Sequence, residues 1–228
     1  MLQWRFIRGH HVSHGQTLST MPFYPAFFDL KNKDCLVVGG GTLAFHKAQA
    51  LLRCGARVTV TAPRLAPGFK RRQGMILRRR PFRASDLAGA RRPWLVVAAT
   101  DNAETNRRVS ALCARRRVWV NVVDRPALCS FILPAVARRG RLTLAVSTGG
   151  ASPALAKYVG ARLKRWVGPE YGLMADVLAR WRAALLKLPM GRRRRLLAEV
   201  LTEPWFRRLR REGRKNVDSF IKRRIAAE

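Results

Sequence analysis

Acidic side chains are scarce in this chain: 13 Asp and Glu stand against 46 Lys and Arg, a formal charge of +33 over 228 residues. A surplus that large disfavours cationic partners and points to anionic ones. Long apolar runs are missing too, the longest being short segments such as Trp94 to Ala99, far below the roughly 18 residues a membrane-spanning helix needs. A soluble protein with no membrane partner is expected. Cysteine is confined to positions 35, 54, 113 and 129, too dispersed for CxxC metal pairs and too few for a disulfide framework. The expectation is a reducing, cytoplasmic setting and no metal site. What is present is ordinary for a globular protein, 48% hydrophobic and 26% charged, which places the positive charge on a folded body rather than a disordered basic tail.

The first 20 residues hold three of the four histidines, His10, His11 and His14, with no acid and no long apolar core. They match neither a secretory signal nor the start of a fold, and are expected to be a disordered extension; Met21 before Pro22 is an alternative start. From Asp34 the pattern becomes regular. Cys35 to Val38 is an apolar run, glycines follow at 39 to 41, and Ala44, Ala48, Leu51 and Leu52 recur at helical spacing, which predicts strand, turn, helix. Further strands are predicted at Arg57 to Ala62, from Met75, at Trp94 to Ala99 and at Val118 to Val123, with a helix over Asn106 to Cys113. Strands alternating with helices imply an α/β fold: a doubly wound parallel sheet of the Rossmann kind, helices on both faces. A final strand is predicted at Leu142 to Val146. After Ser152-Pro153 no strand-like run remains, and apolar residues at 155, 159, 163 and 166, then from 174 to 188, fall on helical faces. Pro169, Pro189 and Pro204 divide this all-helical C-terminal part into separate helices.

Gly39-Gly40-Gly41-Thr42-Leu43-Ala44 fits G-x-G-x-x-A between a strand and a helix, the context of a dinucleotide fingerprint. Gly39 permits the tight turn, Gly41 lets backbone N–H groups reach a pyrophosphate, and Ala44 lets the helix pack close to the strand. An acid that would take the ribose hydroxyls is expected about 20 residues on, but Thr61-Ala62-Pro63-Arg64 stands there. Thr61, Pro63 and Arg64 are therefore candidate cofactor contacts, and on these residues alone the choice between NAD and NADP stays open. Thr100 and Asp101 end the fourth strand, where open α/β sheets bind ligands, and Asn121 and Asp124 end the fifth. Asp124 is the candidate general base, the alternative being a loop aspartate that caps a turn. Ser147, Thr148, Gly149 and Gly150 could meet an anion through hydroxyls and bare amides, or form a plain turn. His46, with no second ligand in view, reads as a solvent-facing or cofactor-adjacent side chain. The basic runs at 70–72, 78–80, 115–117 and 192–195 fit phosphate or carboxylate, or a solvated face.

Taken together, the motifs resemble the precorrin-2 dehydrogenase and sirohydrochlorin ferrochelatase family, the dehydrogenase half of siroheme synthase, from about Tyr24 to Leu188. The resemblance rests on Tyr24-Pro25 with Phe28-Asp29-Leu30, Val38 to Gly41 with Ala44 and Lys47, and Ala98 to Asp101. It continues through Asn121 to Asp124, Ser130-Phe131-Ile132 with Pro134, and Ser147 to Gly150 with Ser152-Pro153. Thr148 departs from members that carry a serine there. The resemblance implies NAD-dependent oxidation of precorrin-2 to sirohydrochlorin and, in bifunctional members, insertion of ferrous iron, with Asp124 as the shared acid–base group. It implies a cofactor over Gly39 to Ala44 and substrate contacts at Asn121 and Ser147 to Gly150. It also implies a homodimer, with a cofactor-binding domain over 21–133, a dimerisation segment over 134–166 and a helical domain over 167–228. A chain ending at 228 leaves no room for a methyltransferase domain, which fits a stand-alone form. A basic nucleic-acid-binding protein on a retired Rossmann scaffold is the rival reading, though it leaves the strand-end motifs unexplained. Another nicotinamide-dependent reductase with the same fold is the third.

Overall fold

A computed structural model describes residues 23–70, 74–89 and 92–227. The expected extension, its three histidines, the alternative start at Met21, and Arg71 and Arg72 of the first basic run lie outside them. The chain divides after Ile132 into two compact units.

The first unit carries β1 (Asp34–Val38), α1 (Thr42–Arg53), β2 (Arg57–Thr61), the short α2 (Pro67–Lys70), β3 (Met75–Arg78), β4 (Leu95–Ala98), α3 (Ala103–Arg115) and β5 (Trp119–Val122). All five strands pair in parallel, in the order β3-β2-β1-β4-β5. Side chains alternate across a strand, and in the central β1 and β4 both sets are apolar because both faces are covered. Val37, Val58, Val60, Leu95 and Val97 pack with Ala44, Ala48 and Leu51 of α1. Leu36, Val38, Val96, Ala98, Val120 and Val122 pack with Val109 and Cys113 of α3. Burial on that scale is worth roughly 1.5–3 kcal/mol for each Val or Leu. The doubly wound parallel sheet anticipated from the alternating runs is therefore the observed one. Its order reverses between β1 and β4, the switch point at which such sheets open a crevice at their carboxyl ends.

The second unit begins with β6 (Ala135–Arg139) and β7 (Leu142–Val146), an antiparallel pair in a sheet of its own. The anticipated final strand at Leu142 to Val146 thus exists, but it belongs to a hairpin and not to the parallel sheet. Two residues, Gly140 and Arg141, separate the strands, and a link that short closes only an antiparallel pair. Gly140 takes the positive φ, 55°, of the tight turn. The segment after β7, Ser147 to Gly150, accordingly does not end a strand of the parallel sheet.

Five helices follow: α4 (Pro153–Trp166), α5 (Pro169–Lys187), α6 (Met190–Val200), α7 (Glu203–Glu212) and α8 (Lys215–Ala226). Pro153, Pro169 and Pro204 sit in first turns, where the missing N–H costs nothing. Met174, Val177, Leu185, Leu196, Val200, Leu209, Val217 and Ile221 form the core of α5 to α8. In that bundle Arg180 and the Trp181 indole both reach the Asp218 carboxylate, at 2.7 and 2.9 Å, and buried Glu170 pairs with Arg210. Helix α4 buries only its small residues, Ala156 and Gly160, the latter facing Ala135 of β6.

Candidate functional site: the cleft over the glycine turn

Strand β1 runs straight into Gly39, whose φ of 127° is open to glycine and strained for any other residue. A Cβ at Gly39 would strike the Ala99 carbonyl, and one at Gly40 would strike the Arg64 carbonyl and the Ala62 methyl. The turn is thus clasped between the ends of β4 and β2. The Gly39 amide donates to Thr61 O (3.0 Å), the Ala66 amide to Gly40 O (2.8 Å) and the Ala99 amide to Val38 O (2.8 Å). Gly41 is different: a Cβ there would meet nothing within 4 Å. It caps α1 with no side chain on its amides and no acid in the first turn. The first N–H groups of that 12-residue helix, from Thr42 and Leu43 onward, are left without intrahelical partners, as an anion site requires. Ala44 is fully buried against the sheet, as a close helix–strand contact demands.

Around this turn lies a cleft of about 1060 Å³, lined by Gly39 to Leu43, Thr61 to Ala66, Pro81, Phe82, Ala99 to Asn102, Thr105, Arg108, Val123 and Asp124. The glycine turn and strand-end residues named from sequence therefore meet in one place, with two exceptions. Asn121 is buried below the cleft, its amide donating to the Phe131 carbonyl (3.0 Å). Ser147 to Gly150 lie in the second unit, where their hydroxyls serve their own turn: Ser147 Oγ accepts from the Gly149 amide (3.1 Å) and Thr148 Oγ1 from the Ser152 amide (2.9 Å). Thr61 lines the cleft, but it is only 1% exposed and its hydroxyl donates to the Arg80 carbonyl (3.1 Å). Thr100 is tied to α3, its hydroxyl 2.8 Å from Asn106 Oδ1 while Asn106 Nδ2 donates to its carbonyl (2.9 Å). Pro63, Arg64 and Asp101 are exposed, and His46 lies exposed on α1.

Asp124 occupies a turn. The Val123 amide still donates to Ala98 O (2.9 Å), the Arg125 amide closes back on Val122 O (3.3 Å), and Asp124 between them has φ 58°. Its carboxylate-bearing residue is exposed on the cleft wall. Beneath it Cys129 Sγ accepts from the Val122 amide (3.1 Å), and its S–H faces the carbonyls of Val122 (3.2 Å) and Arg125 (3.3 Å). Burial pushes the Cys129 thiol up, with the Val122 amide opposing it, so the group stays a protonated donor. Ser130 Oγ accepts from the Val120 amide (2.7 Å). Cys129 to Phe131 thus run beside β5 and hold it through the Cys129 and Ser130 side chains, the Ser130 amide on Val120 O (2.8 Å) and the Phe131 carbonyl. Sequence reasoning missed Cys129 and Arg108. The second was within reach, since Asn102, Thr105 and Arg108 recur at three-residue spacing from the start of α3 and share a face.

A glycine turn that leaves N–H groups free, an open position at Gly41 and a switch-point cleft fit the pyrophosphate of a dinucleotide. The fold and site define a Rossmann-type dinucleotide-binding protein. Residues 26–135 match the family described as "Putative NAD(P)-binding", and residues 139–165 the one described as "Sirohaem biosynthesis protein central". The siroheme synthase of Thioalkalivibrio sulfidiphilus is 40% identical over 200 residues, 86% of this chain and 40% of that protein. That of Nitrosospira multiformis is 40% identical over 195 residues, 81% of this chain and 40% of that protein. The chain therefore spans about two fifths of the length of these relatives. A solved structure described as "SirC, precorrin-2 dehydrogenase" matches with a TM-score of 0.72 at 27% identity, covering 88% of this chain and 100% of that one. Over most of its length the chain is similar to these sirohaem biosynthesis proteins.

Proposed function

We propose that the chain oxidises precorrin-2 to sirohydrochlorin, with NAD in the form the sequence resemblance implies as hydride acceptor. The observation that carries the reading is the sharing of one cleft by the glycine turn and Asp124. Gly39 to Gly41 with the first amides of α1 would hold the pyrophosphate, Ala44 keeping the helix close, and Pro63, Arg64, Thr100 and Asp101 would flank the rest of the cofactor. When bound, the nicotinamide ring supplies a two-electron acceptor for a hydride. The tetrapyrrole loses a second hydrogen as a proton, and Asp124 is the carboxylate placed to take it and, being exposed, to release it to water. Asn121 supports the site from below through Phe131. The turn at Ser147 to Gly150 we assign to a substrate carboxylate, met by the Thr148 and Gly150 amides, since the Gly149 amide is held by Ser147 Oγ and the Thr148 hydroxyl by Ser152.

We extend the proposal to insertion of ferrous iron, a substrate here, into sirohydrochlorin. Asp124 would take the pyrrole N–H protons, which is the same chemical task. A second copy of the chain is the partner we assign to α4, whose Leu155, Tyr158 and Trp166 are 51%, 58% and 72% exposed. We assign the chain to a reducing, cytoplasmic setting, in which its four dispersed cysteines need no disulfide; no helix among the described residues is long and apolar enough to cross a membrane.

The test is anaerobic turnover of precorrin-2 with NAD, followed by the absorbance of sirohydrochlorin, then addition of ferrous iron. Oxidation followed by metallation is expected. Nucleotide binding without oxidation would reject the dehydrogenase reading, and oxidation without metallation would reject the second reaction alone. Salt-sensitive nucleic-acid binding in place of both would favour the rival reading.

A further inference from the structure

We infer that the cleft admits a 2′-phosphorylated adenosine ribose, so that NADP binds alongside NAD, and that Arg64 is the residue that meets the phosphate. The inference rests on the nicotinamide reading and sharpens it.

In a fold of this kind the adenosine ribose lies over the end of β2, where a carboxylate selects the unphosphorylated cofactor by accepting from its hydroxyls. No carboxylate is available there. Thr61 occupies the strand end, buried, with its hydroxyl on the Arg80 carbonyl. Over residues 57–100 the sequence holds eleven Lys and Arg and one acid, Asp86. That acid is spent. Its side chain is 0% exposed, and its oxygens take Arg78 at 2.8 Å, Arg80 at 2.9 and 2.5 Å and the Arg83 amide at 2.9 Å. Burial opposes ionisation of Asp86, yet the Arg80, Arg83 and Arg78 bonds prevail and hold its carboxyl below the usual range. It is an ion buried in a cage of donors, not a ribose acceptor.

Arg64 has the opposite character. Its backbone is wedged against Gly40, it lines the cleft, and its side chain is exposed with no carboxylate on it among the described residues. The acids of the cleft, Asp101 and Asp124, follow β4 and β5, two and three strand positions from β2. At about 4.8 Å per strand that puts them roughly 10 and 14 Å away. The cleft thus carries Arg64 and no acid where the adenosine ribose sits, and its acids, with Arg108, lie on the side of β4 and β5. A ribose phosphate would add a charge-assisted contact at Arg64 and meet no repelling acid.

Calorimetry on the full chain with NAD, NADP, 5′-ADP and 2′,5′-ADP tests this. NADP is expected to bind within threefold of NAD or more tightly, and 2′,5′-ADP more tightly than 5′-ADP. Arg64→Ala should lower the NADP-to-NAD affinity ratio about tenfold. Arg64→Gln keeps the stem without the charge and should do the same, so a poorly folded alanine variant does not block the test. NADP weaker than NAD by tenfold or more, or a ratio unmoved by either substitution, would overturn the inference while leaving the nicotinamide reading intact. Binding of none of the four would overturn both.

Discussion

Asp124 is a polar residue at φ 58°, a left-handed position that glycine occupies more cheaply. The fold therefore tolerates a small strain to present a carboxylate on the cleft wall. Asp124→Gly is expected to keep or slightly raise the thermal midpoint, by a degree or two, while abolishing turnover; a large fall in the midpoint would show that the carboxylate is there for stability. Cys129 holds that turn through its thiol, so Cys129→Ala should lower kcat about fivefold by loosening the placement of Asp124, and Cys129→Ser should recover it. Equal loss in both would assign Cys129 to packing alone. Asp86 is a stability residue. With its carboxyl held below the ordinary value, it contributes stability that is fully present above the unfolded pKa, near 4, and is lost as pH falls through the lower folded value. Its arginine partners are partly exposed, so Asp86→Asn should cost about 2–3 kcal/mol at pH 7. The gap from wild type should narrow in urea titrations as pH is lowered from 5 to 3.

Among the elements, the central parallel strands were legible because burial on both faces demands continuous apolar runs, and LVV and LVVA are such runs, while β2 showed itself by the alternation of RVTVT. The glycine turn was legible because only glycine fits at Gly39 and Gly40. What could not be read was β6. Its sequence, AVARR, has two arginines and two alanines in five residues, no alternation and no β-branched residue beyond one valine. Without it the strand at Leu142–Val146 has no visible hairpin partner in the sequence. Asn121 shows the same limit, since a strand-end asparagine looks identical whether it faces a ligand or, as here, a buried carbonyl. The glycines make a sharp prediction at this scale. Gly40→Ala should fold poorly, its methyl driven into the Arg64 carbonyl, whereas Gly41→Ala should fold normally and lose dinucleotide affinity at least tenfold, because its methyl enters the space the pyrophosphate would take. Thermal melts beside nucleotide titrations separate the two.

At the level of the whole molecule, acids are the limiting resource. Asp34, Asp86, Glu170, Asp176, Glu199, Glu212 and Asp218 are all in ion pairs with arginine, so the few negative charges serve the fold and the surplus cations are left on the surface. A polycarboxylate substrate and a phosphate-bearing cofactor are the anions the account supplies. The second unit adds an apolar face on α4, which a second copy would cover. Trp166→Asp is expected to shift the mass measured by light scattering from dimer toward monomer while leaving the helical circular dichroism signal unchanged; a wild-type monomer would contradict that assignment. The most direct test of the central claim is to compare wild type with Asp124→Asn, a change that preserves shape and the left-handed turn, in anaerobic oxidation of precorrin-2. The account predicts unchanged nicotinamide nucleotide affinity with sirohydrochlorin formation reduced at least a hundredfold. A variant that oxidises precorrin-2 at the wild-type rate would show that the proton leaves by another group and that this cleft does not work as described.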